Sequence, residues 1–213
     1  MPNERPGTEQ EIFSHEELIA AFSIERMQKP GAIFSTDKLE WVNKEHIKRL
    51  PEPELLRLIS ERLPKSLTEL PGYTIERLKV IQPLITERIT NFSQVSIMAA
   101  TGELDYFFTP PIYKAAQLLW KGEGDLASIA PHVDQTISIL EQESETEWTA
   151  EQLKALLWDY ATEKGRGQVL WPIRFALSGR DRSPDPFQLA EILGKNETLI
   201  RLRLAKELIN HAQ

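Results

Sequence analysis

The chain has 213 residues, of which 41% are apolar and 27% are charged, a composition typical of a globular protein with one sizeable core or several small ones. It contains no cysteine, which excludes a disulfide framework, a cysteine nucleophile and a thiolate metal site. It has no apolar run long enough to span a bilayer, and its first residues, MPNERPGTEQE, lack the basic and apolar regions of a signal peptide. We therefore expect a cytoplasmic protein.

The net charge of −7 argues against a nucleic-acid partner, because a polyanion binds to basic surface. The distribution of the charges changes this expectation. All eight charged residues between Gly122 and Gln152 are acidic, whereas nine lysines and arginines accompany four acids between Lys164 and Lys206. The basic segment is therefore suited to an anionic partner, and a merely solvated charged face is the open alternative.

Apolar residues recur at spacings of three and four along most of the chain, which predicts an all-α protein. Ser14 and Glu17 have the spacing of a capping box, which predicts a helix start. The helix that follows carries Leu18, Ile19 and Phe22 on one face.

Thr36 and Asp37 are predicted to cap the next helix, and another short helix is expected over 55–63. Prolines, a glycine and small polar residues between 64 and 72 indicate a boundary. Pro83 is expected to kink or split the following helix, because proline lacks the backbone donor and clashes with the preceding turn. Later helices are predicted at roughly 112–121, 125–142, 149–163, 168–178, 184–193 and 196–210, with Thr149 and Gln152 as a second capping box.

The sequence carries no recognisable catalytic motif. The four histidines are scattered without metal-ligand spacing, no serine lies in a G-x-S-x-G turn, and the glycines of KGEGD and KGRGQ form neither a P-loop nor a dinucleotide-binding motif. We therefore expect no catalytic residue and no metal site.

Four tryptophans, Trp41, Trp120, Trp158 and Trp171, lie in apolar helical patterns, which favours core positions over platforms for stacking bases. The fifth, Trp148, precedes a helix cap and is expected to act as a hydrophobic staple.

Residues 167–187, GQVLWPIRFALSGRDRSPDPF, place an arginine inside an apolar helix before a polar turn. Such an arginine lays its stem on the core and presents its planar fork outward, which suits Arg174 to a phosphate or a base edge. Unpaired RNA bases are recognised beside a rigid turn with a stacking platform, for which Ser183, Pro184 and Phe187 have the required chemistry, and the helix start offers free backbone donors. The residues alone favour the plainer interpretation, a capped helix with Phe187 in the core.

Two stretches carry a more specific pattern. The first, KGRGQVLWPIRFALSGRDRSPDPFQLAEILGKNETLIRLRLA, is similar to K-x-G-x-x-hydrophobic-x-P-hydrophobic-R-x-A-L-[TS]-G followed by [ST]-P-x-x-F. The second, EELIAAFSIERMQKPGAIFSTDKLEWVNKEHIKRL, is similar to a helix, a turn and a K-L-x-W-x-N-x-x-[YH]-I helix. Both patterns belong to the C-terminal, tRNA-binding half of bacterial-type glutamyl-tRNA synthetases, which the chain resembles from about residue 11 to 210.

The resemblance implies an all-α fold, in which helical anticodon-binding bundles, an α-helical cage, follow a mostly helical remnant of the stem-contact domain. The implied domains are 1–68 (stem contact), 69–108 (first anticodon-binding subdomain) and 109–213 (C-terminal anticodon-binding bundle). The implied function is recognition of the anticodon stem-loop of glutamate tRNA, and of glutamine tRNA in some members, as part of a glutamate–tRNA ligase in translation. An all-helical protein-docking module without RNA binding is the open alternative.

The family's catalytic domain has HIGH-like and KLSKR-like motifs, and neither occurs in this sequence. We therefore expect the chain alone to be inactive as a ligase and to bind no cofactor, since ATP and Mg²⁺ belong to the catalytic half. A monomer that binds tRNA and no membrane is the expected state.

The resemblance also assigns roles to individual residues. It aligns Arg174 with an arginine that contacts the anticodon loop, and Arg88 with an arginine that recognises the third anticodon base and favours glutamate tRNA. Asp185 and Pro186 depart from the common pattern and place a negative charge beside the RNA. The complete predicted anticodon-binding set is Arg88, Arg174, Arg180, Arg182, Ser183, Pro184 and Phe187.

Overall fold

The structure, a computed structural model, describes residues 10–24, 34–122 and 124–212. These ranges contain helices and no strand, which confirms the all-α prediction. The α-helices are α1 (His15–Ala21), α2 (Thr36–Arg49), α3 (Glu52–Ser60), α4 (Lys65–Thr68), α5 (Ile75–Arg88), α6 (Ser93–Ala100), α7 (Leu126–Gln142), α8 (Ala150–Lys164), α9 (Arg166–Ser178), α10 (Pro186–Leu193) and α11 (Lys195–His211). Short 3₁₀ turns lie at Asp105–Phe107, Ala115–Leu118, Trp120–Gly122 and Glu145–Glu147.

Tertiary contacts divide the chain into two compact units. The first unit comprises Met1–Leu63 and Gln82–Ile97, and the second comprises Pro64–Ile81 and Met98–Gln213. Both units are discontinuous in sequence, so they do not correspond to successive segments of the chain. The predicted division into 1–68, 69–108 and 109–213 stays a prediction.

The helix starts of the first unit largely follow the sequence signals. The Ser14 hydroxyl accepts from the Glu17 amide at 3.1 Å and the Glu17 carboxylate accepts from the Ser14 amide at 2.7 Å, so the predicted capping box is confirmed. The cap of α2 is Ser35, whose hydroxyl accepts from Lys38 N, and the predicted cap at Thr36 and Asp37 was wrong by one or two positions. The apolar face of α1 is exposed at Leu18, Ile19 and Phe22.

Three of the described α-helices continue through an interior proline. Helix α5 continues through Pro83, and α7 and α9 continue through Pro131 and Pro172. The helix is therefore not split at Pro83, and the alternative, a kink at this residue, stays a prediction. Helical packing on both sides of a proline compensates for the one backbone hydrogen bond it removes.

The second unit is a bundle in which α9 contacts α7, α8, α10 and α11. Its central helix buries Val169, Ile173, Phe175, Ala176 and Leu177. This burial explains the apolar character of α9 on more than one side, because a helix surrounded by others has little solvent face.

Five of the six helices predicted after residue 111 are present, as α7 to α11, with boundaries that differ by a few residues. The predicted helix at 112–121 is wrong, because this segment forms only two 3₁₀ turns. Lys114 and Leu119, which flank the first turn, have extended backbone with ψ of 147° and 128°, so the helical course is interrupted on both sides of it.

The tryptophans are arranged differently from the prediction. Trp148 is the deeply buried one, with 7% of its surface exposed, and its Nε1 donates to the Ala190 carbonyl at 2.8 Å. Trp41 is 40% exposed, so its predicted core position is wrong, and Trp120, Trp158 and Trp171 are only half-buried. The spacing of apolar residues identified the apolar face of each helix, but it did not indicate how much of each tryptophan ring is buried.

Candidate functional site

Arg174 is held at the surface of α9 by two contacts. Its guanidinium lies over the Trp171 ring, with Cζ 4.7 Å from the ring centroid, and its Nη2 donates to the Asp181 carbonyl at 2.8 Å. Trp171 is itself fixed, because its Nε1 donates to the Gln117 carbonyl at 3.1 Å. The side chain is half-buried, as expected for an arginine whose stem packs on the helix and whose fork points outward.

The polar turn that follows α9 is fixed by backbone and hydroxyl contacts. Gly179 ends the helix in the left-handed region at φ 64°, and a Cβ there would lie 2.6 Å from Pro111 Cβ, so the position requires glycine. The buried Ser178 hydroxyl donates to the Arg174 carbonyl at 2.8 Å and accepts from the Arg180 amide at 3.3 Å. The end of α9 and the turn are therefore connected by hydrogen bonds through Ser178.

The two other arginines of the turn differ in their contacts. Arg180 Nη2 donates to the Gly102 carbonyl at 2.8 Å, which ties the turn to the loop before the 3₁₀ turn at Asp105–Phe107. Arg182 is exposed and makes no hydrogen bond or ion pair to any residue that the structure describes. Arg180 thus positions the turn, whereas Arg182 is available to an anion.

The start of α10 is closed by a side chain. The Asp185 carboxylate accepts from the amides of Phe187 at 2.9 Å and Gln188 at 3.1 Å and is the cap of the helix. This corrects the expectation that these backbone donors are free. The Ser183 hydroxyl donates to the Pro184 carbonyl and takes no part in the cap. Asp185, which departs from the family pattern, thus places its own negative charge at this helix start.

The remaining residues of the predicted set lie in different environments. Phe187 is 6% exposed, so its ring belongs to the core beneath the turn. This agrees with the interpretation of the segment as a capped helix with Phe187 in the core. Ser183 and Pro184 are half-buried at the surface of the turn. Arg88 is the last residue of α5 and belongs to the first compact unit, whereas the other members belong to the second.

Several cations of the basic segment are occupied by protein contacts. Lys195 donates to the carbonyls of Glu141 and Glu143 at the end of α7, and Arg203 and Lys206 of α11 form ion pairs of 2.6 and 2.7 Å with Glu141 and Asp134. Part of the charge segregation seen in the sequence is therefore internal pairing between α7 and α11.

Arg201 is buried in the same helix, with 2% of its surface exposed. Its Nη1 donates to the carbonyls of Tyr106 at 2.7 Å and Leu177 at 2.6 Å, and its Nε donates to Glu197 at 2.7 Å. Burial lowers the pKa of this guanidinium, and the Glu197 carboxylate opposes that shift. Arg201 is a structural residue that the sequence grouped with the surface cations.

No group of three or more histidine, aspartate or glutamate side chains in the described ranges is arranged to hold a metal ion. None of the helices described has the length and apolar character needed to span a bilayer.

Sequence reasoning missed Trp171 as a member of the site. The signal was available, because Trp171 and Arg174 are three residues apart and lie on the same face of a helix. The apolar context of the tryptophan favoured a core position, and the half-exposed ring was not expected.

Comparison of the sequence with known proteins shows the family of this chain. The sequence model of the family described as "Anticodon binding domain" matches residues 37–206. The glutamate–tRNA ligase of Prosthecochloris aestuarii is 31% identical over 216 residues, which cover 97% of this chain and 41% of the relative. The glutamate–tRNA ligase of Clostridium novyi is 33% identical over 211 residues, which cover 97% of this chain and 42% of the relative.

Solved structures agree with the sequence relatives. A crystal structure of a glutamate tRNA ligase from Elizabethkingia meningosepticum has a TM-score of 0.70 and 26% identity, covering 95% of this chain and 38% of that one. The glutamate–tRNA synthetase of Elizabethkingia anophelis has a TM-score of 0.66 and 25% identity, over 92% and 36% of the two chains. The chain spans about two fifths of the length of the curated relatives it matches.

Proposed function

Because the chain belongs to the anticodon-binding domain family, we propose that it binds the anticodon stem-loop of a glutamate tRNA. The observation that carries the proposal is Arg174, whose planar fork is held between the Trp171 ring and the Asp181 carbonyl beside a rigid polar turn. A fork fixed in this way loses little rotamer entropy when it meets a base or phosphate.

Arg174 acts in this proposal as the residue that contacts a splayed base of the loop. A guanidinium has five N–H donors, and Arg174 uses one of them on Asp181, so four are left, enough for a paired contact with a base edge or a phosphate. Ser183 and Pro184 line the turn beside it, and Arg182 neutralises a phosphate. Arg180 and Phe187 position the turn through their contacts with Gly102 and the core.

We extend the proposal to the whole protein on the similarity to glutamate–tRNA ligases. The chain serves as the tRNA-recognition part of such a ligase, a monomer that works in the cytoplasm where translation takes place. Attachment of glutamate with ATP and Mg²⁺ is assigned to the part of the relatives that this chain does not cover. Arg88 is proposed to recognise the third anticodon base and thus to favour glutamate over glutamine tRNA.

The proposal is tested by fluorescence anisotropy with labelled glutamate tRNA and the same tRNA carrying a changed anticodon. We expect tighter binding of the unchanged tRNA, and a loss of about 1–3 kcal/mol for Arg174→Ala with that tRNA. Arg174→Lys keeps the charge and loses the planar fork. This variant should still bind tRNA, but its affinities for the two tRNAs should differ less than those of the unmodified chain.

Arg203→Ala is the matched control, since it removes an exposed, ion-paired arginine from the same unit. The affinities of this variant for both tRNAs should stay within about twofold of those of the unmodified chain, because an exposed ion pair contributes little to stability. Equal binding of the two tRNAs by the unmodified chain contradicts the proposal. Absence of binding to either tRNA favours the protein-docking alternative.

A further inference from the structure

A second group of aromatic rings and cations lies where α8 meets α9. Arg166 places its guanidinium over the Trp158 ring, with Cζ 4.2 Å from the centroid, and Lys154 Nζ lies 4.8 Å from the same centroid. Lys121 Nζ lies 4.5 Å from the centroid of Trp120. We call these five residues the junction site.

The two ring groups are connected through Gly167. Trp120 packs against Gly167, the residue after Arg166, so closely that a Cβ at this glycine would overlap the indole. The 3₁₀ turn at Trp120–Gly122 and helix α9 are in contact along this edge. Glycine is therefore required here by the approach of the ring, and Trp120 is seated next to the Arg166 backbone.

From this geometry we propose that the junction site is a second RNA contact, which binds a phosphate and stacks an unpaired base of the same tRNA stem-loop. The inference rests on the proposed function. It adds Arg166 and its supporting Trp158 to the residues already proposed, which are Arg88, Arg174 and the turn after α9.

Arg166 has the properties of a ligand-binding arginine rather than of a structural one. It is exposed, and its only hydrogen bond to a described residue is a long one of 3.4 Å from Nε to Thr162 Oγ1. Arg201, in contrast, donates to two buried carbonyls and a carboxylate. Trp158 holds one face of the Arg166 guanidinium, so the plane is oriented in advance for a base while most donors stay free.

Local charge favours a polyanion as the occupant. Lys121, Lys154 and Arg166 bring three cations to two indole rings. Glu163, the acid closest in sequence to Arg166, is paired with Lys164 at 2.8 Å. A basic surface interleaved with aromatic rings is the arrangement that proteins use for single-stranded nucleic acid.

The position on α9 connects the junction site to the proposed anticodon contact. Arg166 and Arg174 belong to the same helix and are separated by eight residues, or about 12 Å along its axis. Each lies over the ring of a half-buried tryptophan, Trp158 and Trp171 respectively. An RNA strand that contacts Arg174 therefore needs only a few nucleotides to reach Arg166.

The test uses the full chain and glutamate tRNA, with dissociation constants measured by anisotropy at several salt concentrations. Arg166→Ala should weaken binding at least about 5-fold, the lower end for one stacked base. It should also reduce the slope of log K against log salt by about 0.7, the value for one single-strand phosphate. Arg166→Lys should keep the slope and lose affinity, because it retains the charge but not the plane.

Trp158→Leu removes the support of the guanidinium and should weaken binding in the same direction as Arg166→Ala. Circular dichroism checks that this variant keeps its helices. Arg203→Gln, which removes one exposed cation from α11, is the control and should change neither affinity nor slope.

The anticodon-changed tRNA separates this inference from the proposed function. Arg166→Ala should weaken the binding of both tRNAs by the same factor, so the ratio of the two dissociation constants should equal that of the unmodified chain. If the unmodified chain distinguishes the two tRNAs but Arg166→Ala has unchanged affinity and slope, the junction site is wrong and the proposed function stands. If the unmodified chain binds neither tRNA, both are overturned.

Discussion

Replacement of Arg201 by methionine tests the account of the second unit most directly. Methionine fills much of the volume of the arginine stem but carries no donor. The carbonyls of Tyr106 and Leu177 would then lose a hydrogen bond inside the protein, and Glu197 would lose its partner. Arg201 is the largest almost fully buried side chain in the part of the chain that the structure describes, so water has no direct access to replace it.

The expected magnitude follows from these contacts. A buried carbonyl left without a donor costs about 1–3 kcal/mol. Removing one partner of a buried charged network costs about 3–5 kcal/mol, and since two carbonyls and a carboxylate are affected here, we expect Arg201→Met to fall in that range. This is a large fraction of the roughly 5–15 kcal/mol that stabilises a domain.

Urea unfolding followed by circular dichroism measures the free energy of unfolding for the variant and the unmodified chain. Arg203→Met is the control, because it lies two residues away on the same helix but is exposed and paired only with Glu141, and it should lose no more than about 1 kcal/mol. If Arg201→Met lowered the free energy of unfolding as little as the control does, the hydrogen bonds from Arg201 to the two carbonyls would not stabilise the fold, and the reasoning would be refuted.

Two further predictions concern the cap of α10 and a histidine of α7. Asp185→Ala should lower the free energy of unfolding by about 1 kcal/mol, because two helix-start amides lose their acceptor. Asp185→Asn keeps an acceptor and removes the charge, so stability should be nearly unchanged while tRNA binding at low salt becomes tighter; weaker binding would contradict the repulsion expected of this carboxylate. Burial, followed by the charge of Lys164, lowers the pKa of His132 from its ordinary value of 6.5, and its Nδ1 lies 2.7 Å from the Tyr160 hydroxyl. The unfolded chain then takes up the proton more readily, so stability should fall as the pH decreases from 6.5 toward the lower folded-state value. His132→Gln should show a smaller pH slope of the unfolding free energy in this window, and equal slopes would count against the assignment.

The sequence predicted the fold where local signals and tertiary packing agree. The capping box at Ser14 and the stripes of α7 to α11 depend on contacts within one helix, so they are visible in the spacing of residues. The segment at 112–121 has similar spacing, but its backbone is extended at Lys114 and Leu119. Nothing in the identity of a lysine or a leucine indicates this conformation.

The site was predicted less completely, because exposure and hydrogen bonding depend on elements distant in sequence. The sequence placed Arg174 correctly on an apolar helix beside the turn, yet the ring that supports it, Trp171, was assigned to the core. Arg201 was counted as a surface cation, although carbonyls 24 and 95 residues away in sequence enclose it. Residue type fixes the available donors, and only the three-dimensional contacts decide which donors stay free.

This difference between total and available charge explains how a chain with a net charge of −7 is suited to RNA. The cations of α11 are directed toward α7, where Arg203 and Lys206 meet Glu141 and Asp134. Their charge is largely cancelled at short range, and more distant charges are screened by salt within about 8–10 Å. The cations of α9 and its turn form no ion pair with an acid among the described residues. Lys164, the last residue of α8, pairs with its neighbour Glu163. A local basic surface therefore persists on an acidic protein, and under the proposed function the acids elsewhere would direct the RNA toward Arg166, Arg174 and Arg182.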